Sequence, residues 1–311
     1  MTLTADDGSS GRGARCHRVP AIEVSTSRTA EVGGSQVRRA LPQRNRRTVG
    51  AWCFADHIGP VSADDDNPIG IGPHPHMGLH TVTWLVEGEL LHRDSLGSEQ
   101  TIRAGQLNLM TAGGGVSHAE EPTKHYRAAM HGIQLWVAQP EATRHGGAAF
   151  EHHAELPEVD LATGTATVLI GELEGTVSPA RTDTELVGVD LRLRKGTATI
   201  PLRPRFEHAL VVLEGAVEVG GQSVDPGHLA YLGLGGDELT MVTTEEARLL
   251  VLGGTPFESP IVMWWNFVGR SRQEMTDATA DWNARGQRFG ETGSSMARIA
   301  APRPPWRDPV E

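Results

Sequence analysis

Short apolar, β-rich runs broken by turns dominate this chain, and helical periodicity is scarce. TVTWLVEGEL at 81–90, QLNLMTAGGG at 106–115 and IQLWVAQP at 133–140 each run apolar for a few residues and then meet Gly or Pro. ALVVLEGAVEVGG at 209–221, HLAYLGLGG at 228–236 and ARLLVLGG at 247–254 do the same. Many short strands at modest spacing predict an all-β sandwich or barrel, with glycine where the turns need a positive φ. One segment departs from the pattern. Ser271 and Glu274 form an S-x-x-E capping box, which pairs otherwise unpaired amides at a helix start. Met275, Ala278 and Trp282 follow at helical spacing, and Gly286 offers a stop, so a short C-terminal helix is expected there.

Two halves of the chain resemble each other. TVTWLVEGEL matches ALVVLEGAVEV, and IRAGQLNLMTAGGG matches VDPGHLAYLGLGGD. Glu87-Gly88 and Glu214-Gly215 are 127 residues apart, and Gly105 and Gly227 are 122 apart. An ordered match at a nearly constant offset is the sign of an internal duplication. The expected organisation is two β-barrels, residues 17–155 and 156–290, with a disordered tail at 1–16 and a Pro-rich tail at 291–311.

Composition narrows the classes. The 311 residues are 38% hydrophobic and 22% charged, as in a soluble globular protein with ample material for a core. No apolar run approaches the length of a membrane span, and the first twenty residues lack the apolar centre of a secretory signal. Two cysteines, Cys16 and Cys53, cannot make a disulfide framework, which points to a reducing cytoplasm. A formal net charge of −11 argues against general nucleic-acid binding, which is driven by phosphate neutralisation. The local basic stretch of Arg38, Arg39, Arg44, Arg46 and Arg47 reads as a solvated or carboxylate-paired loop.

Candidate chemistry lies in the first copy. His74-Pro75-His76 and His118-Ala119-Glu120 each place two metal-ligand side chains at i, i+2. In a strand these share one face, about 6.6–7 Å apart. Two such pairs on neighbouring strands would bring three imidazoles and one carboxylate to one point. That donor set leaves positions open and suits Fe(II), and also Mn, Ni, Cu or Zn. Pro75 lacks an amide hydrogen and belongs at an edge or bulge. Gly113, Gly114 and Gly115 read as a tight turn, not a phosphate loop. In the second copy His208 stands alone, and no metal is expected there. Asp56 and His57 could reach the site, or sit in an ordinary loop. His92, His125, His131, His145, His152 and His153 read as loop or surface residues, and Cys53 as buried.

HPHMGLHTVTWLVEGELLHRDS, AGQLNLMTAGGGVSHAEEP and HGIQLWVAQP, with RALPQRNRRTVGAWCFADHIGP upstream and PIVMWWNFVGRS…DWNARGQRFG downstream, resemble the pirin family of the cupin superfamily over roughly residues 35–290. The resemblance implies a bicupin, two jelly-roll-like barrels in tandem, with one metal, usually iron, in the N-terminal barrel. It places His74, His76, His118 and Glu120 at the four ligand positions. The chain departs from the family where HPHxGxE carries His80 in place of Glu. On an unbroken strand His80 would share the face of His74 and His76, as an extra ligand, as a group orienting the ligands, or as a packed interior residue.

What the resemblance implies about activity is a metal-dependent dioxygenase of the quercetin 2,3-dioxygenase type. Its substrates would be a small planar oxygenated aromatic and O2, and Glu120 would take the substrate proton. A second implication is a redox-responsive regulatory protein, with a transcription factor or metabolic enzyme as partner. A catalytically silent cupin holding Zn or Ni is the third.

Overall fold

The computed structural model describes residues 22–62, 70–123 and 129–306. The first strands are β1 (Glu23–Thr26), β2 (Arg28–Val32), β3 (Ser35–Leu41), β4 (Trp52–Ser62), β5 (Ile71–His76) and β6 (Leu79–Glu87). They are followed by β7 (Glu89–Asp94), β8 (Glu99–Arg103), β9 (Leu107–Thr111), β10 (Val116–Pro122), β11 (Ala129–Ala138) and β12 (Ala149–His153). The second half contributes β13 (Glu158–Leu161), β14 (Gly164–Ile170), the short pair β15 (Glu172–Leu173) and β16 (Thr176–Val177), β17 (Leu186–Leu193) and β18 (Gly196–Pro201). Then come β19 (Glu207–Glu214), β20 (Val217–Val219), β21 (Gln222–Val224), β22 (His228–Gly233), β23 (Glu238–Thr243) and β24 (Ala247–Gly254). A hairpin of β25 (Val262–Trp264) and β26 (Phe267–Gly269) precedes helix α1 (Arg272–Asn283).

Each half is a seven-stranded sheet facing a four-stranded one, so the all-β, two-barrel organisation expected from the sequence is the one observed. The first barrel has the orders β12-β9-β6-β11-β4-β3-β2 and β5-β10-β7-β8. The second has β1-β22-β19-β24-β17-β14-β13 and β18-β23-β20-β21. The duplication is thus repeated strand for strand, with one exchange. The edge beside β9 is filled by β12, from the end of the first half, whereas the equivalent edge beside β22 is filled by β1, from the start of the chain. Glu23 pairs with Tyr231 and Thr26 with His228. Residues 17–155, expected to form one unit, therefore contribute their first described strand to the other barrel.

The two large sheets pack face to face. Val82, Trp84, Ile133 and Leu135 from one meet Leu186, Val211, Leu250 and Leu252 from the other in one continuous buried cluster. Trp52 crosses this layer and donates its indole N–H to the carbonyls of Val187 at 3.2 Å and Gly253 at 3.1 Å. Trp84 Nε1 donates to Asp190 Oδ2 at 3.2 Å. The barrel interiors differ. In the second barrel the interior residues form one apolar cluster that includes Val189, Ile200, Phe206, Leu239 and Met241. In the first they split into one group around Phe54, Met110 and Trp136 and another around Leu85, Leu90 and Ile102, and the candidate ligands lie in the same interior.

The helix forms as expected at its start, where the Glu274 amide donates to Ser271 Oγ at 3.2 Å. Its end differs from the expected glycine stop. Arg285 takes the left-handed conformation with φ 56°, and the Gly286 amide, at ordinary φ, closes the last turn onto the Asp281 carbonyl at 2.8 Å, a Schellman arrangement. The Pro-rich segment beyond it is docked over residues 291–306. Ile299 N–H donates to the Pro73 carbonyl at 2.9 Å, and Trp282 Nε1 donates to the Ile299 carbonyl at 2.8 Å. A Cβ on Gly72 would sit 2.1 Å from the Ala297 carbonyl oxygen, so this segment lies directly against β5. The expected tail at 1–16 falls outside the described residues, as do residues 307–311.

Candidate metal centre

Strands β5 and β10 are antiparallel neighbours, and their register sets His118 opposite His74 and Val116 opposite His76. Because side chains at i and i+2 share a face, both histidines of β5 and His118 of β10 project into the barrel. Their ligand nitrogens all lie within 4.8 Å of one another. His76 Nε2 is 3.0 Å from His118 Nε2, and the His74 and His118 rings are 4.3 Å apart. His74 Nδ1 faces the Gly72 carbonyl at 2.9 Å, so that nitrogen carries the proton and Nε2 keeps its lone pair. β5 is the edge of its sheet, where the missing amide of Pro75 leaves no break in the ladder.

Glu120 lines the same cavity but stands beside the tight group of three. The register of β10 against β5 slips between His118 and Glu120, which pairs with Ile71. Such a bulge re-aims a side chain. Thr83 Oγ1 donates to Glu120 Oε1 at 3.4 Å.

Burial sets the protonation states. It pushes His74 down to about 4. It also holds His76 and His118 well below the usual imidazole range, helped by the neighbouring imidazoles. Charging an imidazole away from water is unfavourable, so all three are neutral at pH 7 and present lone pairs. Burial raises Glu120, against the opposing effects of His92 and Thr83. The backbone of Asn266 meets the His76 ring and opposes its lowering. Three neutral imidazoles with two Nε2 atoms facing each other at van der Waals distance fit a shared cation, and the chemistry of this donor set suits one divalent ion.

The cavity has a volume of about 440 Å³. Phe54 and Trp136 form one wall, stacked with centroids 3.9 Å apart, and Trp136 meets the His76 ring edge-on at 5.1 Å. Asp56 also lines it, gripped by Arg39 through two bonds of 2.7 and 2.6 Å; burial still raises its carboxyl. Trp265 and Asn266, the turn of the β25–β26 hairpin, close another side. Trp265 holds φ 52°, a conformation unusual for so large a side chain. Neither residue is marked in the sequence by parity or by ligand type.

His57 and His80 lie elsewhere. Strand parity turns His57 to the opposite face from Asp56, where its Nε2 is 2.8 Å from His131 Nε2; burial, Arg38 and His131 push it down to about 3. His131 Nδ1 in turn is 3.1 Å from Glu214 of the second barrel. His80 does not share the face of His74 and His76, because the strand is broken. Gly78, at φ 71°, turns the chain between β5 and β6, and a Cβ there would meet the Val268 carbonyl at 2.1 Å. His80 Nδ1 bonds Thr111 Oγ1 at 2.9 Å, and Nε2 is 3.1 Å from Asp183 Oδ2. It joins the two barrels and does not line the cavity.

Other histidines also correct the expectation. His131 and His92 are buried on strands, not on loops or the surface, and His92 packs beside His118 with ring centroids 5.2 Å apart. His145 is exposed. His152 is half-buried against Asn108 at 2.7 Å, and His125 lies outside the described residues. Cys53 is buried, which pushes its thiol up to about 12 and leaves it unreactive. His208 is buried in the second barrel. The basic stretch is largely committed: Arg39 to Asp56, Arg46 to Glu23 at 2.8 Å and over the Tyr231 ring, and Arg38 to His57 and Gly59.

Residues 34–137 match the Pirin family, and residues 188–290 match the Pirin C-terminal cupin domain. The chain is 45% identical to the Pseudomonas aeruginosa protein named "Putative quercetin 2,3-dioxygenase PA1205", over 93% of each chain. It is 35% identical to a "Pirin-like protein" of Caulobacter vibrioides, over 84% of this chain and 92% of that one. The crystal structure of quercetin 2,3-dioxygenase from Acinetobacter baumannii superposes with a TM-score of 0.89 at 42% identity, covering 93% of this chain and 97% of that one. Both barrels and the residues between them are thus accounted for, and the chain belongs to the pirin family.

Proposed function

We propose that this protein is a metal-dependent dioxygenase of the quercetin 2,3-dioxygenase type, acting on a flavonol or a similar planar oxygenated aromatic. The observation that carries the reading is the convergence of three buried, neutral imidazoles on the wall of a cavity of about 440 Å³. That volume lies within the range of pockets that enclose a whole small molecule. The relatives named for this activity support it.

His74, His76 and His118 would hold the ion, with Glu120 as fourth donor. Fe(II) is the choice this reading makes, with Mn, Ni, Cu or Zn compatible with the same donors. Bound there, the ion would supply Lewis acidity and a position for oxygen. The protein supplies the rest. Phe54 and Trp136 give the cavity an apolar side against which a planar ring can lie. Glu120, raised by burial, is suited to take the proton of the substrate hydroxyl as the enolate forms. Trp265 limits the entry of water on the far side. Both atoms of O2 enter the ring-opened ester, and one ring carbon leaves as carbon monoxide.

A regulatory role would need an accessible surface near the site that responds to the ion. In the Arg38–Arg47 stretch, the surface such a role would use, Arg39 and Arg46 are tied to carboxylates and Arg38 to His57 within this chain, while Arg44 and Arg47 are exposed. The enzyme reading is therefore preferred.

The test is oxygen uptake and carbon monoxide release by anaerobically Fe(II)-loaded protein on adding quercetin, beside the His74→Ala/His118→Ala variant. Turnover that vanishes in the variant supports the proposal. An iron-loaded wild type that consumes no oxygen refutes it for flavonols.

A further inference from the structure

We propose that His92 and Asp94 are positioning residues that fix the tautomer and orientation of His118 for metal binding. The inference rests on the metal reading above. Strand β7 lies beside β10, with Asp94 opposite His118 and His92 opposite Glu120, so His-x-Asp on β7 faces the same interior as His-x-Glu on β10. His92 Nε2 is 3.0 Å from Asp94 Oδ2, and His92 Nδ1 is 3.4 Å from His118 Nδ1. The ring of His92 is held flat against Phe150, centroids 4.4 Å apart.

The proton positions follow from one end. Asp94 Oδ1 already accepts from the amides of Leu96 at 2.9 Å and Ser98 at 3.0 Å, so the carboxylate is anchored by the turn after β7. Its other oxygen, Oδ2, can only accept, and His92 must donate from Nε2. That leaves the His92 Nδ1 lone pair to accept from His118 Nδ1–H. His118 then carries its proton on the side away from His74 and His76 and directs the Nε2 lone pair at their shared point. Partners that fix a ligand imidazole in this way typically matter by 10–100-fold in metal affinity. His74 is fixed in a comparable way by the Gly72 carbonyl, whereas His118 is reached through the His92 and Asp94 side chains.

Asp94→Asn separates positioning from packing. The substitution is nearly isosteric, but the Leu96 and Ser98 amides hold the amide oxygen, so the NH2 group would face His92 Nε2. His92 would then have to protonate on Nδ1, and its N–H would point at the His118 Nδ1–H. The experiment is Co(II) and Zn(II) affinity of the full-length protein by competitive titration, with the Co(II) visible spectrum. Wild type, Asp94→Asn, His92→Ala, His92→Asn and His118→Ala are compared, and the thermal midpoint of each apo-protein is recorded.

The expected result is a loss of roughly 10–100-fold in affinity for Asp94→Asn and His92→Ala. The Co(II) bands should shift, and the apo midpoint of Asp94→Asn should stay close to wild type. His92→Asn, which keeps an acceptor near the Nδ1 position, should recover part of the loss. Tight binding by wild type with affinity within twofold in Asp94→Asn and His92→Ala would overturn the positioning role and leave the metal site standing. Equal affinity in wild type and His118→Ala, or no binding by wild type, would overturn both.

Discussion

His80 of the first barrel and Asp183 of the second meet with Nε2 3.1 Å from Oδ2, both side chains almost fully buried. Burial alone would raise the Asp183 carboxyl. The donors His80, Thr143, Arg181 and Gln139 outweigh it and hold the group well below the usual carboxylate range. The position at which this chain departs from the family pattern is thus part of the contact between barrels.

Restoring the family's residue should therefore harm stability and spare the metal. In His80→Glu a second carboxylate would face Asp183 in a buried setting. The expected loss is on the order of 3 kcal/mol, as when a buried charge loses its partner. The double variant His80→Glu/Asp183→Asn should recover much of it. Urea unfolding measures both, and metal content per chain should equal that of wild type.

Removing one ligand should empty the site without unfolding the barrel. His118→Ala deletes one of three mutually close donors, and the surrounding strands keep their ladders. Metal analysis after dialysis should show most of the ion lost, while far-UV circular dichroism stays unchanged. Full occupancy in this variant would refute the site.

The large sheets should unfold together. Trp52→Ala removes a fully buried indole and two hydrogen bonds that cross the interface, at an expected cost of about 3–5 kcal/mol. Since one apolar cluster spans both barrels, tryptophan fluorescence and circular dichroism should give coincident transitions in wild type. Two separated transitions would mean that the barrels are independent.

Stability should fall on acidification through His208. Burial lowers its pKa from 6.5 to about 4. Between these values the unfolded chain binds a proton that the folded chain does not, so unfolding becomes easier as pH falls. One such group gives a slope of at most about 1.4 kcal/mol per pH unit. The full stabilisation is present above pH 6.5, is drawn down between 6.5 and 4, and changes no further below 4. His208→Asn should show a shallower dependence than wild type in urea unfolding series over that window.

The group of three histidines was legible because strand parity is local. His74 and His76 share a face because the strand runs unbroken between them, whereas the bulge between His118 and Glu120 sets the carboxylate beside the three imidazoles. The same rule marks His92 and Asp94, also two apart on a strand. His92 was expected on a loop or the surface because its partner two residues on is an aspartate and not a second ligand of the same site. For His80 the rule failed because it assumes an unbroken strand, and Gly78 reverses the face by turning the chain between β5 and β6.

The sequence by itself determined the β-rich architecture, its duplication and the histidine spacing, all of which depend on side-chain period and turn residues a few positions apart. Only the tertiary structure decided that β1 completes the second barrel, that residues 291–306 cover β5, and that Trp265 closes the cavity. It also decided that Asp94, through His92, reaches His118. Those relationships join segments far apart along the chain, or across a sheet ladder whose register no local pattern states. They are fixed by which edges need a partner and which buried polar groups need one another.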